Sequence, residues 1–192
     1  MQSTNVKNPI NATLPVKPLA GDDDYIFFSV GDSPVGKILV ARTIVGVCAV
    51  LIGESRQALE SDLEARFPGR TLVGNASKVQ DDLESVVQFI AAPHGGFKLP
   101  LDMRHGTAFQ RRVWDALLTI PCGARISYAA LARRIGEPRA VRAVASACAA
   151  NAIALGIPCH RVVRSDGTIS GYRWGTELKR SLLEKENVVT VN

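Results

Sequence analysis

The most apolar stretch of the chain spans residues 26–52, and what interrupts it decides what it can become: Asp32, Pro34, Lys37 and Arg42 all fall inside it. A membrane span does not tolerate charges and a proline at that density. The stretch instead divides into β-rich runs at residues 26–30, 37–43 and 45–52, separated by Gly31-Asp-Ser-Pro-Val-Gly36 and by a tight turn. Runs so closely spaced predict a small antiparallel meander. Two amphipathic helices are expected next. Residues 56–67 place Leu59, Leu63 and Phe67 on one face and stop at Pro68-Gly69, and residues 78–90 do the same with Val79, Leu83, Val86 and Ile90.

The segment Ala92-Pro-His-Gly-Gly-Phe-Lys-Leu-Pro100 reads as a linker. The expected organisation is a mobile tail (1–21), an N-terminal α+β domain (22–100) and a helical C-terminal domain (101–192). The last of these opens with Thr107-Ala-Phe-Gln110, a capping box, and buries Phe109, Val113, Leu117 and Ile120 along one helix. Ser127 is expected to cap a helix over 128–135, which Gly136 ends, and Pro138 to start another reaching about Ala150. Two short helices joined across Gly136-Glu-Pro138 form a helix-turn-helix candidate. On the second, Val141, Val144 and Cys148 face inward, while Arg139, Arg142, Ala143 and Ser146 form an outer face small enough to approach a groove.

Charge separates the two halves. Residues 1–100 carry a net charge of −2 and residues 101–192 a net charge of +7. Between positions 121 and 164, Arg125, Arg133, Arg134, Arg139, Arg142, Arg161 and Arg164 are set against Glu137 alone. Guanidinium groups suit planar and bidentate contacts to phosphate and bases, so this half is expected to meet a polyanion. The opening residues contain no apolar core of a signal peptide, and a cytoplasmic setting with free thiols is expected.

Four cysteines in 192 residues are too few for a disulfide scaffold, and none stands in a zinc-ligand spacing. Cys48 and Cys148 lie on apolar faces, and Cys122 follows a helix-ending proline with no base beside it in sequence. Cys159 differs, because His160 adjoins it. A thiol becomes a nucleophile only with a base or a positive field nearby. Consecutive strand residues point to opposite faces, so His160 reaches Cys159 only through a turn or a bridging water.

Ile157-Pro-Cys-His-Arg-Val-Val163 resembles the active-site motif of the O6-alkylguanine-DNA alkyltransferases, and the likeness runs from about Tyr25 to Glu186. It is closest to the alkyltransferase domain of the bacterial adaptive-response protein. The blocks that carry this are Thr107-Ala-Phe-Gln, Ile120-Pro-Cys-Gly, residues 140–151 (AVRAVASACAAN) and Ser170-Gly-Tyr-Arg-Trp-Gly175. The resemblance implies an α+β fold, with a ribonuclease H-like N-terminal sheet and a winged-helix-like C-terminal domain.

It implies an activity as well: single, irreversible transfer of an alkyl group from O6-alkylguanine, and from O4-methylthymine, in double-stranded DNA to Cys159. The helix-turn-helix would enter the minor groove. Arg142 would fill the gap left by the extruded nucleotide, with Arg139, Ala143 and Ser146 beside it. His160 would act as base through a water, Glu186 would orient the imidazole, and Tyr128 would protonate the leaving guanine. Asn151 would organise the turn between recognition helix and active-site strand. Val162, Ser170, Gly171, Tyr172 and Trp174 would line the pocket. Trp174 stands where vertebrate relatives have a small residue, which favours methyl over benzyl adducts. No metal, no cofactor and a monomer are expected. The alternative is a module that binds alkylated DNA without reacting; relatives of that kind lack the cysteine present here.

The residues themselves support one of these assignments. Leu178, Leu182 and Glu186 follow at i, i+4 and i+8, so Glu186 lies on the stripe of the last helix that faces the core. A carboxylate there needs a partner.

Overall fold

The computed structural model describes residues 24–74, 77–169 and 171–187; the expected tail lies outside them. The three runs become β1 (Tyr25–Ser33), β2 (Gly36–Arg42) and β3 (Val47–Gly53), an antiparallel meander. Helix α1 (Arg56–Arg66) is capped by the Ser55 side chain, which accepts from the Ala58 amide. It carries the chain back to β4 (Thr71–Gly74), which pairs parallel to β1 and gives the order β3-β2-β1-β4. The sheet is therefore mixed rather than purely antiparallel. Sequence periodicity missed β4 because its 4 residues are too few to show an alternation.

Both faces of the sheet are covered, which explains why its strands read as unbroken apolar runs. Leu39, Ala41, Ala49 and Leu51 pack against Leu59 and Leu63 of α1. Ile38, Val40 and Val50 pack against α2 (Gln80–Ala91) through Leu83, Val86 and Ile90, and also against the C-terminal half through Val113, Trp114 and Ile157.

The exposed edge of β3 is closed by the second half of the chain. The Val47 amide donates to the Pro100 carbonyl (2.8 Å) and Val47 accepts from Asp102 (2.8 Å). Val50 donates to the Ala152 carbonyl (2.9 Å) and accepts from Ala154 (3.0 Å). An unpaired edge is thereby used as the dock for the segment that leads to Cys159. Residues on both sides of position 100 share the larger core.

Helix α3 (Ala108–Leu118) opens with the reciprocal Thr107–Gln110 capping box. Trp114, outside the expected stripe, is buried and donates its indole N–H to the Ala147 carbonyl (2.9 Å); Phe109 is half-buried. Strand β5 (Ile126–Ser127) leads into α4 (Tyr128–Arg134), capped by Ser127. Gly136 (φ +77°) takes the left-handed conformation that ends this helix. Helix α5 (Val141–Ala149) begins later than Pro138, because residues 137–140 close a turn through the Ala140 amide and the Glu137 carbonyl. Strand β6 (Val162–Val163) pairs parallel with β5, which sets Tyr128 beside the turn that holds Cys159. Helix α6 (Thr176–Asn187) closes the fold.

Candidate active site

The segment between α5 and β6 is organised around one side chain. Asn151, fully buried, accepts from the Ile153 amide (2.8 Å) and donates to the carbonyls of Ile153 (3.3 Å) and Ile157 (3.0 Å) and to Cys159 Sγ (3.2 Å). These bonds tie both ends of the turn to the thiol. Within the turn, Leu155 adopts φ +68°, a conformation that costs an L-residue about 1–3 kcal/mol and persists only where its surroundings impose it. Its side chain is buried, and the Ile157 amide bonds to the Ile153 carbonyl across it (3.0 Å).

After Pro158, the residues Cys159–Arg161 form a single 3-10 turn, not a strand. The turn takes His160 off the opposite-face geometry of extended chain. Its Nε2 lies 2.8 Å from Glu186 Oε1, with both side chains buried. Burial alone would raise the Glu186 carboxyl, but hydrogen bonds from His160 and Arg161 outweigh it and hold the group down at about 2. Burial also lowers the imidazole against the pull of Glu186. The pair therefore consists of a carboxylate and a neutral ring that donates Nε2–H, which leaves the lone pair on Nδ1. That atom is buried and has no partner among the described residues.

Arg161 completes the cluster. Its guanidinium reaches Glu186 through Nε (3.0 and 3.1 Å) and Nη2 (2.8 Å), and Nη1 donates to the Ile120 carbonyl. The Gly123 amide adds a contact to Glu186 Oε2 (3.3 Å). Sequence reading grouped Arg161 with the arginines facing a polyanion; the fold buries it instead, as the counter-ion of Glu186.

The Cys159 thiol is pushed up by burial, and the Asn151 donor and the Lys179 charge pull it part of the way back. At rest it is a thiol, not a thiolate. Lys179 is fully buried and donates to the Val162 carbonyl (2.6 Å). Sequence reasoning missed this residue. The argument that found Glu186 applies to it too, because Lys179, Leu182, Leu183 and Glu186 share the buried face of α6.

Cys159 opens onto a cavity of about 320 Å³ lined by Tyr128, Ala145, Cys148, Ala149, Gly171, Tyr172 and Arg173. Tyr128, Gly171 and Tyr172 thus border the same cavity as Cys159. The Tyr172 hydroxyl is buried without a partner among the described residues. Ser170 lies outside the described residues. Two expectations for the cavity wall need correction. Val162 is buried in the core beneath it. Trp174 stands behind Tyr172 (ring centroids 5.1 Å apart) and lines a separate open groove with the β1–β2 hairpin. Its indole packs against both core clusters. Cys122, expected to have no base nearby, has His94 Nδ1 3.6 Å from its sulfur. Among the described residues no group of three or more His, Cys, Asp or Glu could hold a metal ion.

On α5, Val144, Ala147 and Cys148 are buried, whereas Arg142, Ala143, Ser146 and Ala149 are exposed, as is Arg139 just before it. The exposed face adjoins the cavity mouth, since Ala145, Cys148 and Ala149 belong to the cavity wall.

Comparison with known proteins points the same way. Residues 108–188 match the family model described as 6-O-methylguanine DNA methyltransferase, DNA binding domain. The chain is 47% identical over 166 residues to the bifunctional transcriptional activator/DNA repair enzyme Ada of Escherichia coli, covering 86% of this chain but 47% of that one. It spans about half the length of that relative. It is 42% identical over 159 residues to the methylated-DNA–protein-cysteine methyltransferase of Mycobacterium bovis, covering 81% of this chain and 88% of the relative. Among solved structures, Mycobacterium tuberculosis OGT in complex with DNA superposes with a TM-score of 0.71 at 34% identity, over 84% of this chain and 92% of that one. A buried thiol at a cavity floor, a neutral imidazole backed by a carboxylate, and likeness along nearly the whole described chain agree: this chain belongs to the methylated-DNA–protein-cysteine methyltransferase family.

Proposed function

We propose that the protein repairs DNA by moving the alkyl group of O6-alkylguanine, and of O4-methylthymine, onto Cys159, once per molecule. The observation that carries this is the position of Cys159 on a nucleobase-scale cavity, with an ion-paired imidazole behind it. The exposed face of α5 lies in the minor groove, and Arg142 fills the space of the extruded nucleotide. Extrusion costs a few kcal/mol, and less for a lesion whose pairing is already weak. Arg139, Ala143 and Ser146 contact the backbone nearby.

His160 Nδ1 takes the thiol proton through one water, and Glu186 holds the resulting imidazolium. Sulfur then attacks the alkyl carbon, the S–C bond forms as the C–O6 bond breaks, and Tyr128 protonates the departing base. The proton taken up by His160 then returns through water to the Tyr128 phenolate, so the base leaves neutral and both side chains regain their starting charge. Asn151 keeps the sulfur in line with the cavity throughout. A thioether is not readily hydrolysed, so the product persists and no cofactor is called for. The protein acts as a monomer in the cytoplasm, on the nucleoid; no helix of the described residues is long and apolar enough to cross a membrane.

Incubation with duplex DNA carrying radiolabelled O6-methylguanine tests the reading. Label moves to protein in at most a 1:1 ratio, and Cys159→Ser abolishes transfer while retaining DNA binding. Release of label to solvent over many turnovers points to hydrolysis instead. Binding by the unaltered protein without transfer points to a non-reactive lesion-binding module.

A further inference from the structure

Three neighbouring residues of the cavity region, Tyr172, Arg173 and Trp174, are held by different parts of the molecule. Tyr172 forms the cavity wall, with its ring edge-on to His160 (6.5 Å between centroids) and to Trp174. Trp174 packs between the two core clusters. Arg173 crosses to the N-terminal half, where its Nη2 lies 2.8 Å from Asp62 Oδ1 on α1. The same Asp62 oxygen accepts from Arg66 Nε at 3.2 Å. Among the described residues Asp62 is the anion that both guanidinium groups share, and the Arg173 charge depresses Arg66 further after burial has done so. Without Asp62 the two cations would face each other, and the segment bearing Tyr172 would lose its tether to α1. Space for that segment to shift exists: Trp174 and Leu178 border an open groove of about 530 Å³ against the β1–β2 hairpin.

We propose that Asp62 is a positioning residue for alkyl transfer: by holding Arg173 against α1 it fixes Tyr172 at the cavity wall and limits the size of group the cavity accepts. This rests on the transfer reading above and deepens it, by giving the N-terminal half a part in substrate selection. The pair is about one-third exposed, and such pairs contribute ~0.2–1 kcal/mol, which converts to an effect of about 1.4- to fivefold.

The test compares single-turnover transfer from oligonucleotides carrying O6-methylguanine and O6-benzylguanine, at saturating DNA. In Asp62→Ala the methyl rate constant falls about 1.4- to fivefold and the benzyl-to-methyl ratio rises, and Asp62→Glu restores both. Asp62→Asn, isosteric with the native side chain, gives the same comparison if the alanine variant does not fold. A benzyl-to-methyl ratio that stays fixed overturns the proposal, whatever happens to thermal stability or DNA affinity, because a merely structural role would leave that ratio alone. Failure of the underlying reading looks different: the unaltered protein would then transfer neither group.

Discussion

Arg161 and Arg142 are the same residue type on neighbouring elements, and the fold gives them opposite physical situations. Arg161 is buried, with every nitrogen of its guanidinium bonded to Glu186 or a carbonyl. Arg142 is exposed on α5. A buried cation stays charged only because a carboxylate is locked beside it, so it acts as part of the scaffold that orients His160. An exposed cation retains its water until a polyanion displaces it, and its contribution is to binding. Positive charge counted along the sequence mixes these two kinds. The difference teaches that the basic character of the C-terminal half is partly an internal matter.

Removal of the shared carboxylate strains this comparison most. Glu186→Ala leaves Arg161 buried without its anion and is expected to destabilise the protein by about 3–5 kcal/mol, read as a fall in the urea midpoint. Transfer falls as well, while Arg142→Ala leaves the midpoint unchanged. A Glu186→Ala protein as stable as the native one would dissolve the distinction.

Acid probes the same cluster without mutation. Glu186 is held at about 2 against an ordinary 4.5, so its stabilisation is complete above 4.5 and is lost as pH falls from there through 2. The size is roughly 3 kcal/mol, from 1.36 kcal/mol per pKa unit. His160 is lowered by burial, so its share is present above the ordinary histidine value and lost below it. Stability measured by denaturant titration should therefore fall in two stages, first below about 6.5 and then below about 4.5. In Glu186→Gln the lower stage should shrink.

The exposed side gives smaller effects. Arg142→Ala should weaken DNA binding and reduce the slope of log affinity against log salt by about 1. Arg139→Ala, at an exposed position just before α5, should change affinity less than Arg142→Ala and leave transfer at saturating DNA unaltered. Equal loss of single-turnover transfer in both variants would show that neither is specific to extrusion.

Much of the fold was legible in the residues. The β-rich apolar runs at residues 37–43 and 45–52, the Thr107–Gln110 capping box, the Ser127 cap and Gly136 are local signals, and each marks an element or an element end that the fold contains. Strand β4 escaped because it is short and paired by a parallel crossover that leaves no trace in local pattern. Trp174 was misplaced because position in a motif says nothing about which of two cavities a side chain enters. Lys179 shares the buried face of Glu186, but a lysine stem ordinarily carries its charge out to water, and its burial follows from the Val162 carbonyl that the fold brings to it.

What the sequence determined by itself was the β1–β2–β3 meander, most of the helices and the motif that singles out Cys159, because capping, periodicity and a motif depend on residues near one another in the chain. Only the tertiary structure decided which arginine is buried and which faces solvent. It alone brought Asp62 to Arg173 across 111 positions and turned the ring of His160 toward Glu186. Those outcomes depend on desolvation and on partners distant in sequence. Both come into being only when the edge of β3 receives the second half of the chain and the shared core closes around it.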